Sequence, residues 1–183
     1  MPRKTLEPSD VTAIIDTREQ RPLDLAPLRS EAGTLPTGDY SVHGLENAVA
    51  IERKSLPDLI ACVGVERERF DREAQRLLAY PTRAIVVEAT WAELEAGGWR
   101  SRVTPGAAVG SVLGWMAMGL PILMAGTHEA AGRCVARLLF LAARRRWREL
   151  LSFGNSVTGN RELIGQKVGN LDSNCLRGKT NAG

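Results

Sequence analysis

Two acidic residues and a lysine in one short stretch of this chain have the types and spacing that phosphate chemistry requires. Asp39 lies in a Gly-Asp-Tyr turn, and Glu52, Arg53 and Lys54 follow the apolar run 48–51. Side chains alternate between the faces of a strand, so Glu52 and Lys54 share one face and Arg53 lies on the other. Carboxylate oxygens bind Mg2+, and a neighbouring ammonium can steer a water molecule or a phosphate. The stretch therefore predicts the centre of a metal-dependent hydrolase site.

A surface role is the alternative for such a charged strand end, since Glu, Arg and Lys are mostly exposed in proteins. However, apolar runs also lead to Asp16 and to Glu88. If these ends and the Asp39 turn meet at one edge of a sheet, their carboxylates repel one another unless cations are bound. All-oxygen ligands favour Mg2+ or Mn2+ over zinc. Phosphodiester hydrolysis, with metal-activated water, is the reaction class that fits such a cluster.

The hydrophobic pattern supplies elements that can position these residues. Short apolar runs predict strands near 11–15, 48–54, 84–88 and 121–124, with a hairpin partner in TGDYSV. Helical spacing and start signals predict helices after Ser55 and over 66–80, 91–96, 106–119 and 128–148. This order predicts an α/β fold in which helices flank a central mixed sheet.

The composition is that of an ordinary soluble protein. Of the 183 residues 44% are hydrophobic and 25% are charged, which fits one globular domain. The formal net charge of +3 permits a nucleic-acid partner without requiring one. No apolar run is long enough to cross a bilayer and no signal-type segment leads the chain, so we expect no membrane association and a cytoplasmic protein.

Several other kinds of site find no support. Cys62, Cys134 and Cys175 are far apart and form no CxxC pair, which argues against a zinc site or a disulfide framework. His43 and His128 have no sequence partners that would make a catalytic triad. No glycine-rich nucleotide-binding motif occurs.

Four segments, IIDTREQRP, TGDYSV, AIERKSLPDL and RERFDREAQRLLAYPTRAIVVEA, resemble the nuclease domain of the XPF family within the PD-(D/E)XK superfamily. The resemblance runs from about residue 11 to 141. Within the family, this sequence is more similar to the short bacterial and phage-like forms. The resemblance implies a restriction-endonuclease-like three-layer fold and a Mg2+-dependent endonuclease, with Mn2+ as a substitute. The implied substrate is branched, flapped or forked DNA in repair, recombination or replication, in a bacterial or phage-infected cell.

The resemblance also implies roles for individual residues. Asp39, Glu52, Lys54, Asp16 and Arg53 are the expected catalytic residues, with Asp39, Glu52 and Asp16 as metal ligands, and Glu19 and Glu88 as supporting carboxylates. Arg69 matches the family's arginine on the helix after the catalytic strand and is an expected DNA contact, together with Arg18 and Arg72. Arg144 and Arg148 are expected DNA contacts on different grounds, because they belong to the basic run 144–148, which equally fits a solvated helix end. The chain departs from the family by having Glu73 where a glutamine is usual. No helix-hairpin-helix tandem follows, so we expect a homodimer or a partner subunit to supply DNA recognition.

Three functional hypotheses and one domain plan follow. The leading function is the structure-specific endonuclease; the alternatives are a non-catalytic DNA-binding or scaffold subunit, and an RNase or restriction-type enzyme on the same scaffold. The expected organisation is a flexible lead-in at 1–10, the nuclease domain at 11–151 and a disordered tail at 152–183, whose Gly-, Asn- and Ser-rich sequence has little apolar content.

Overall fold

A six-stranded mixed sheet with helices on both faces forms the protein, for which the computed structural model describes residues 5–158. The described residues divide into two compact units, 5–143 and 144–158. The strands are β1 (Thr12–Asp16), β2 (Arg29–Gly33), β3 (Tyr40–Val42), β4 (Val49–Ser55), β5 (Thr82–Glu88) and β6 (Ile122–Met124). The helices are α1 (Leu56–Val63), α2 (Arg67–Leu78), α3 (Trp91–Ala96), α4 (Pro105–Ala117) and α5 (His128–Thr158).

Two hydrophobic clusters separate the layers of the fold. One contains Ile51 and Val86 of the sheet together with Leu139 of α5. The other contains Ile85 of the sheet together with Phe70 of α2 and residues of α1 and α4. Neighbouring residues of a strand point to opposite faces, so the apolar runs of β4 and β5 contribute side chains to both clusters. The predicted α/β fold with a central mixed sheet between helical layers is confirmed.

Strand direction brings the charged ends of the sheet to one edge. The strand order is β2-β1-β3-β4-β5-β6. Strand β3 is antiparallel to β1 and to β4, whereas β5 is parallel to β4 and to β6. The start of β3 therefore lies at the same edge of the sheet as the ends of β1, β4 and β5. Asp16, Asp39, Lys54 and Glu88 meet at this edge, as their positions after apolar runs predicted.

Strand β2 was not predicted, and its sequence explains why. It reads Arg-Ser-Glu-Ala-Gly, and its first four residues are exposed at the outer edge of the sheet. An edge strand of this kind has no apolar alternation that a sequence pattern could reveal. Its regular parallel pairing with β1, from Thr12 opposite Arg29 to Asp16 opposite Gly33, holds it in place.

The ends of the chain differ in part from the predicted organisation. Residues Pro8–Asp10 of the expected lead-in form a short 3-10 helix. Helix α5 continues to Thr158, so residues 152–158 are helical, which corrects the predicted start of the tail. The preceding Glu149, Leu150 and Leu151 favour helix, which lets the helix extend into the more polar sequence. The rest of the predicted tail lies outside the described residues. Within 5–158 no helix combines the length and apolar character of a membrane span.

Candidate active site

Asp39 is fixed by backbone hydrogen bonds that join three strands. Its N–H donates to the Ile51 carbonyl at 2.8 Å, and its carbonyl accepts from the Asp16 N–H at 2.8 Å. The Arg53 N–H donates to the Asp39 carboxylate at 2.8 Å. Burial raises the pKa of Asp39 to about 6, and the charge of Glu19 adds to the effect. Asp39 is thus a desolvated carboxylate held at the edge of the sheet.

Gly38 allows this close approach of the turn to β4. Its φ is +80°, and a Cβ there would lie 3.0 Å from the Ile51 carbonyl oxygen. Gly44 has the same φ of +80°, but open space surrounds the corresponding position. The two glycines therefore have the same backbone conformation and differ in the crowding around them.

This pair gives a matched test of the turn. Gly44→Ala should cost about 1 kcal/mol of unfolding free energy from the left-handed conformation alone. Gly38→Ala should cost about 1–3 kcal/mol more, because the methyl group overpacks rigid backbone, and it should also lower any cleavage activity by displacing Asp39. Urea unfolding of both variants measures the difference. Equal losses of stability would contradict the proposed close packing.

Lys54 lies between two carboxylates on one face of β4. Its Nζ is 2.6 Å from Glu52 Oε1 and 3.1 Å from Glu73 Oε1, and all three residues are 8% exposed. Burial lowers the pKa of the Lys54 ammonium, but the charges of Glu52 and Glu73 outweigh burial and raise it. Lys54 is therefore a firmly held cation. Because an ammonium has three donors, two of them engaged here, one remains for a substrate oxygen.

The two glutamates around Lys54 have opposite pKa shifts. Burial raises the pKa of Glu52 well above its usual value, and the charge of Asp39 raises it further. Burial would also raise the pKa of Glu73, but the hydrogen bond from Glu52 and the Lys54 charge bring it below its usual value. Glu52 therefore holds a proton more readily than an exposed glutamate does, whereas Glu73 favours its charged form. The cluster holds more acidic groups than one lysine can neutralise.

Glu73 is a site residue that the sequence indicated only as a departure from a family pattern. It lies on α2, near Phe70 and Ala74 on the buried face of that helix. A charged residue on an otherwise apolar helix face was the available signal. Its contact with Lys54 depends on how α2 packs over the sheet, which helical spacing does not specify.

Arg53 lies on the opposite face of β4, as strand alternation predicted. Its Nε and Nη2 donate to the two oxygens of Glu19 at 2.8 and 2.9 Å, and its Nη1 donates to Glu88 at 3.0 Å. His128 Nδ1 is 2.7 Å from the same Glu88 oxygen. The hydrogen bond to Glu19 is the main cause of the raised pKa of Arg53. The network gives His128 a partner that its sequence position did not reveal.

Removal of Arg53 should destabilise the fold strongly. The side chains of Glu19 and Glu88 are 4% and 8% exposed, so Arg53→Met leaves two buried carboxylates without their main partner. We expect a loss of about 3 kcal/mol in unfolding free energy. Arg69→Met is the control, because Arg69 is 58% exposed in its pair with Glu66 and should change stability by less than about 1 kcal/mol. Chemical denaturation of both variants tests the difference, and similar small losses would contradict it.

Asp16 has both carboxylate oxygens engaged by the protein. The backbone N–H of Leu35 donates to Oδ2 at 2.7 Å, and Arg18 donates from its backbone and its guanidinium, the closest contact being 2.6 Å. The Arg18 hydrogen bond lowers the pKa of Asp16 to about 2. These contacts fix the loop after β2 against β1. The role of Asp16 as a metal ligand stays a prediction.

The donor set at this edge fits a hard divalent cation without forming a finished site. Within residues 5–158 no three His, Cys, Asp or Glu side chains converge in the arrangement of a metal centre. Asp39 and Glu52 nevertheless provide carboxylate oxygens whose pKa values are raised first by burial and then by the charge of a neighbouring acidic residue. A bound divalent cation would offset both effects, and it prefers oxygen ligands. These two residues are therefore the ones that fit the expected metal.

The predicted DNA-contacting arginines occupy different settings. The Arg18 side chain is 69% exposed while it also binds Asp16. Arg69 pairs with Glu66, and Arg72 is exposed on α2. Arg144 and Arg148 lie on α5 in the second unit. Contact of all five with DNA stays a prediction.

Comparisons with known proteins point to one nuclease family. A family description, the ERCC4 domain, matches residues 15–138. Among solved structures, XPF from Aeropyrum pernix is similar with a TM-score of 0.60 and 21% sequence identity, over 73% of this chain and 62% of that chain. The match thus spans less than two thirds of the archaeal chain and concerns the fold. A search of curated proteins finds no match.

Proposed function

Since the chain belongs to the ERCC4 domain family, whose nuclease domain is part of the PD-(D/E)XK-like superfamily, we propose that it is a structure-specific DNA endonuclease. We propose that it requires a divalent metal, with Mg2+ as the natural ion and Mn2+ as a substitute. The substrate is DNA with branches, flaps or forks, met in repair, recombination or replication. The juxtaposition of Asp39, Glu52 and Lys54 at one edge of the sheet carries this proposal.

Each of these side chains has a role in the proposed reaction. Asp39 and Glu52 would hold the metal. When bound, the metal acts as a Lewis acid that lowers the pKa of water and neutralises the negative charge on the leaving oxygen. Lys54 directs its remaining N–H toward the attacking water or the scissile phosphate. Glu73 holds the Lys54 ammonium from the side of α2 at 3.1 Å. The Arg53 N–H orients the Asp39 carboxylate at 2.8 Å.

A substrate panel tests the proposal. Purified protein is incubated with labelled flap, fork, bubble, linear duplex and RNA molecules, each in Mg2+, in Mn2+ and in EDTA, and the product ends are mapped. Cleavage near duplex–single-strand junctions that requires a divalent ion supports the proposal. Tight binding of forks without cleavage in any metal would favour a non-catalytic DNA-binding subunit. Cutting of RNA, or of unbranched duplex with equal efficiency, would favour the other enzyme classes.

A further inference from the structure

We propose that a groove along α1, lined in part by Arg100 and Arg102, binds a single DNA strand that leaves the catalytic edge. This inference rests on the proposed nuclease function and concerns residues with no predicted role in it. The groove has a volume of about 890 Å³ and lies between α1 and the loop that joins α3 to α4. It extends along α1 from Pro57 to Val65, just past the end of the helix.

The groove begins close to the catalytic strand. Pro57 lies in the first turn of α1, shortly after the N-cap Ser55 and the catalytic Lys54. Eight helical residues rise by about 12 Å, the axial length of roughly three to four nucleotides of one strand in B-form DNA. A strand in this groove would therefore run along α1 from its start beside the end of β4.

Hydrogen bonds shape the loop that presents the two arginines. The Trp99 indole N–H donates to the Val103 carbonyl at 2.6 Å, and the Val103 N–H donates to Ser101 Oγ at 3.2 Å. The base of the loop packs tightly on α1, because a Cβ added to Gly64 would lie 2.9 Å from a Val103 methyl group. An ordered loop loses less conformational entropy when a ligand binds.

The lining of the groove is cationic. Among the described residues that line it, Arg100 and Arg102 are the only charged ones, and none carries a carboxylate. Both are exposed and, among residues 5–158, have no hydrogen-bond or salt-bridge partner. Val103 lies just before the N-terminal end of α4, whose dipole adds positive potential at that side of the groove. A polyanionic backbone is the partner that this charge distribution fits.

Apolar groups beside the arginines favour a single strand over a duplex. Val65 is 94% exposed, which is costly for a β-branched apolar side chain without a partner. Trp99 lines the same groove and is only partly buried. Unpaired bases can cover such side chains, whereas the bases of a duplex are already stacked on one another.

Binding measurements with matched variants test this inference. Fluorescence anisotropy in Ca2+ or EDTA compares wild type, Arg100→Ala/Arg102→Ala and the control Arg133→Ala/Arg137→Ala, which removes the same charge from α5 outside the groove. With a fork carrying single-stranded arms, the groove variant should bind about tenfold more weakly and lower the salt slope by about 1.4, as expected for two phosphates of a single strand. Its affinity for blunt duplex should change much less. Val65→Ser, added to the groove variant, should weaken fork binding further, because it removes the exposed apolar side chain that unpaired bases would cover.

The outcomes separate this inference from the proposed nuclease function. If the groove variant binds and cuts forks like the α5 control, the proposed binding of a single strand in the groove is wrong, even if wild type cleaves DNA. Equal losses on fork and blunt duplex also overturn it, because they indicate general electrostatics. Selective loss of fork binding by the groove variant supports it even if wild type cuts nothing, in which case the nuclease function fails and the strand-binding groove remains. Circular dichroism confirms that the variants stay folded.

Discussion

Replacing Asp39 by asparagine is expected to lower DNA cleavage by about 100- to 1000-fold, the scale of loss when one preorganised electrostatic group is removed from an active site. The fold should persist, because the asparagine oxygen can still accept the hydrogen bond that the Arg53 N–H donates at 2.8 Å. What disappears is the negative charge of one proposed metal ligand. Metal binding, measured by calorimetry, should weaken together with cleavage.

The same substitution should raise stability at neutral pH when no metal is present. Burial raises the pKa of Asp39 from its ordinary value of 3.8 to about 6. Between these values the folded protein keeps a proton that the unfolded chain has lost, so the stability of wild type falls as the pH rises through this window. At higher pH the full cost applies, on the order of 3 kcal/mol. An asparagine side chain cannot ionise and avoids this cost.

Urea unfolding in EDTA at several pH values measures the effect. Asp39→Asn should be more stable than wild type at about pH 7.5, and the two should converge near about pH 3.5. Asp71→Asn is the matched control, since Asp71 is 52% exposed in a surface pair with Arg67 and the loss of its charge should change stability by less than about 1 kcal/mol. A variant that cuts DNA like wild type, or that is less stable at neutral pH, would contradict the assigned role of Asp39.

Strand alternation explains how much of this site the sequence could predict. It placed Lys54 and Arg53 on opposite faces of β4, and the structure places Glu52 with Lys54 and separates Arg53 from both. The convergence of strand ends was equally predictable, because it depends on strand direction and on where apolar runs end. Local rules of this kind operate within one element or between paired strands.

Contacts between distant elements could not be predicted in the same way. The hydrogen bond between Lys54 and Glu73 depends on the packing of α2 over the sheet. The engagement of Asp16 by Leu35 depends on the path of the loop after β2, an edge strand that leaves no hydrophobic pattern. The contact of His128 with Glu88 requires α5 to begin at the catalytic edge. Each is set by tertiary packing, about which residue types alone say little.

Replacing Lys54 by methionine is expected to abolish cleavage and also to destabilise the fold by about 3 kcal/mol at neutral pH without metal. Methionine nearly fills the volume of the lysine stem, so the loss arises from charge and hydrogen bonding. Glu52 and Glu73, each 8% exposed, would lose the ammonium that lies 2.6 and 3.1 Å from their oxygens. An inactive Lys54 variant therefore does not by itself identify a catalytic lysine.

Companion variants separate the two roles of Lys54. Without the ammonium, burial keeps the pKa of Glu52 high and raises that of Glu73, so the folded variant binds protons that the unfolded chain releases. Its deficit should therefore shrink as the pH falls to about 5. Glu52→Gln/Lys54→Met removes one charge of each sign and should recover most of the stability, yet remain inactive. Urea unfolding and fork cleavage on the same samples measure both effects. If this double variant is as unstable as Lys54→Met, the deficit does not come from uncompensated carboxylates; if it cuts DNA, neither side chain takes part in the reaction.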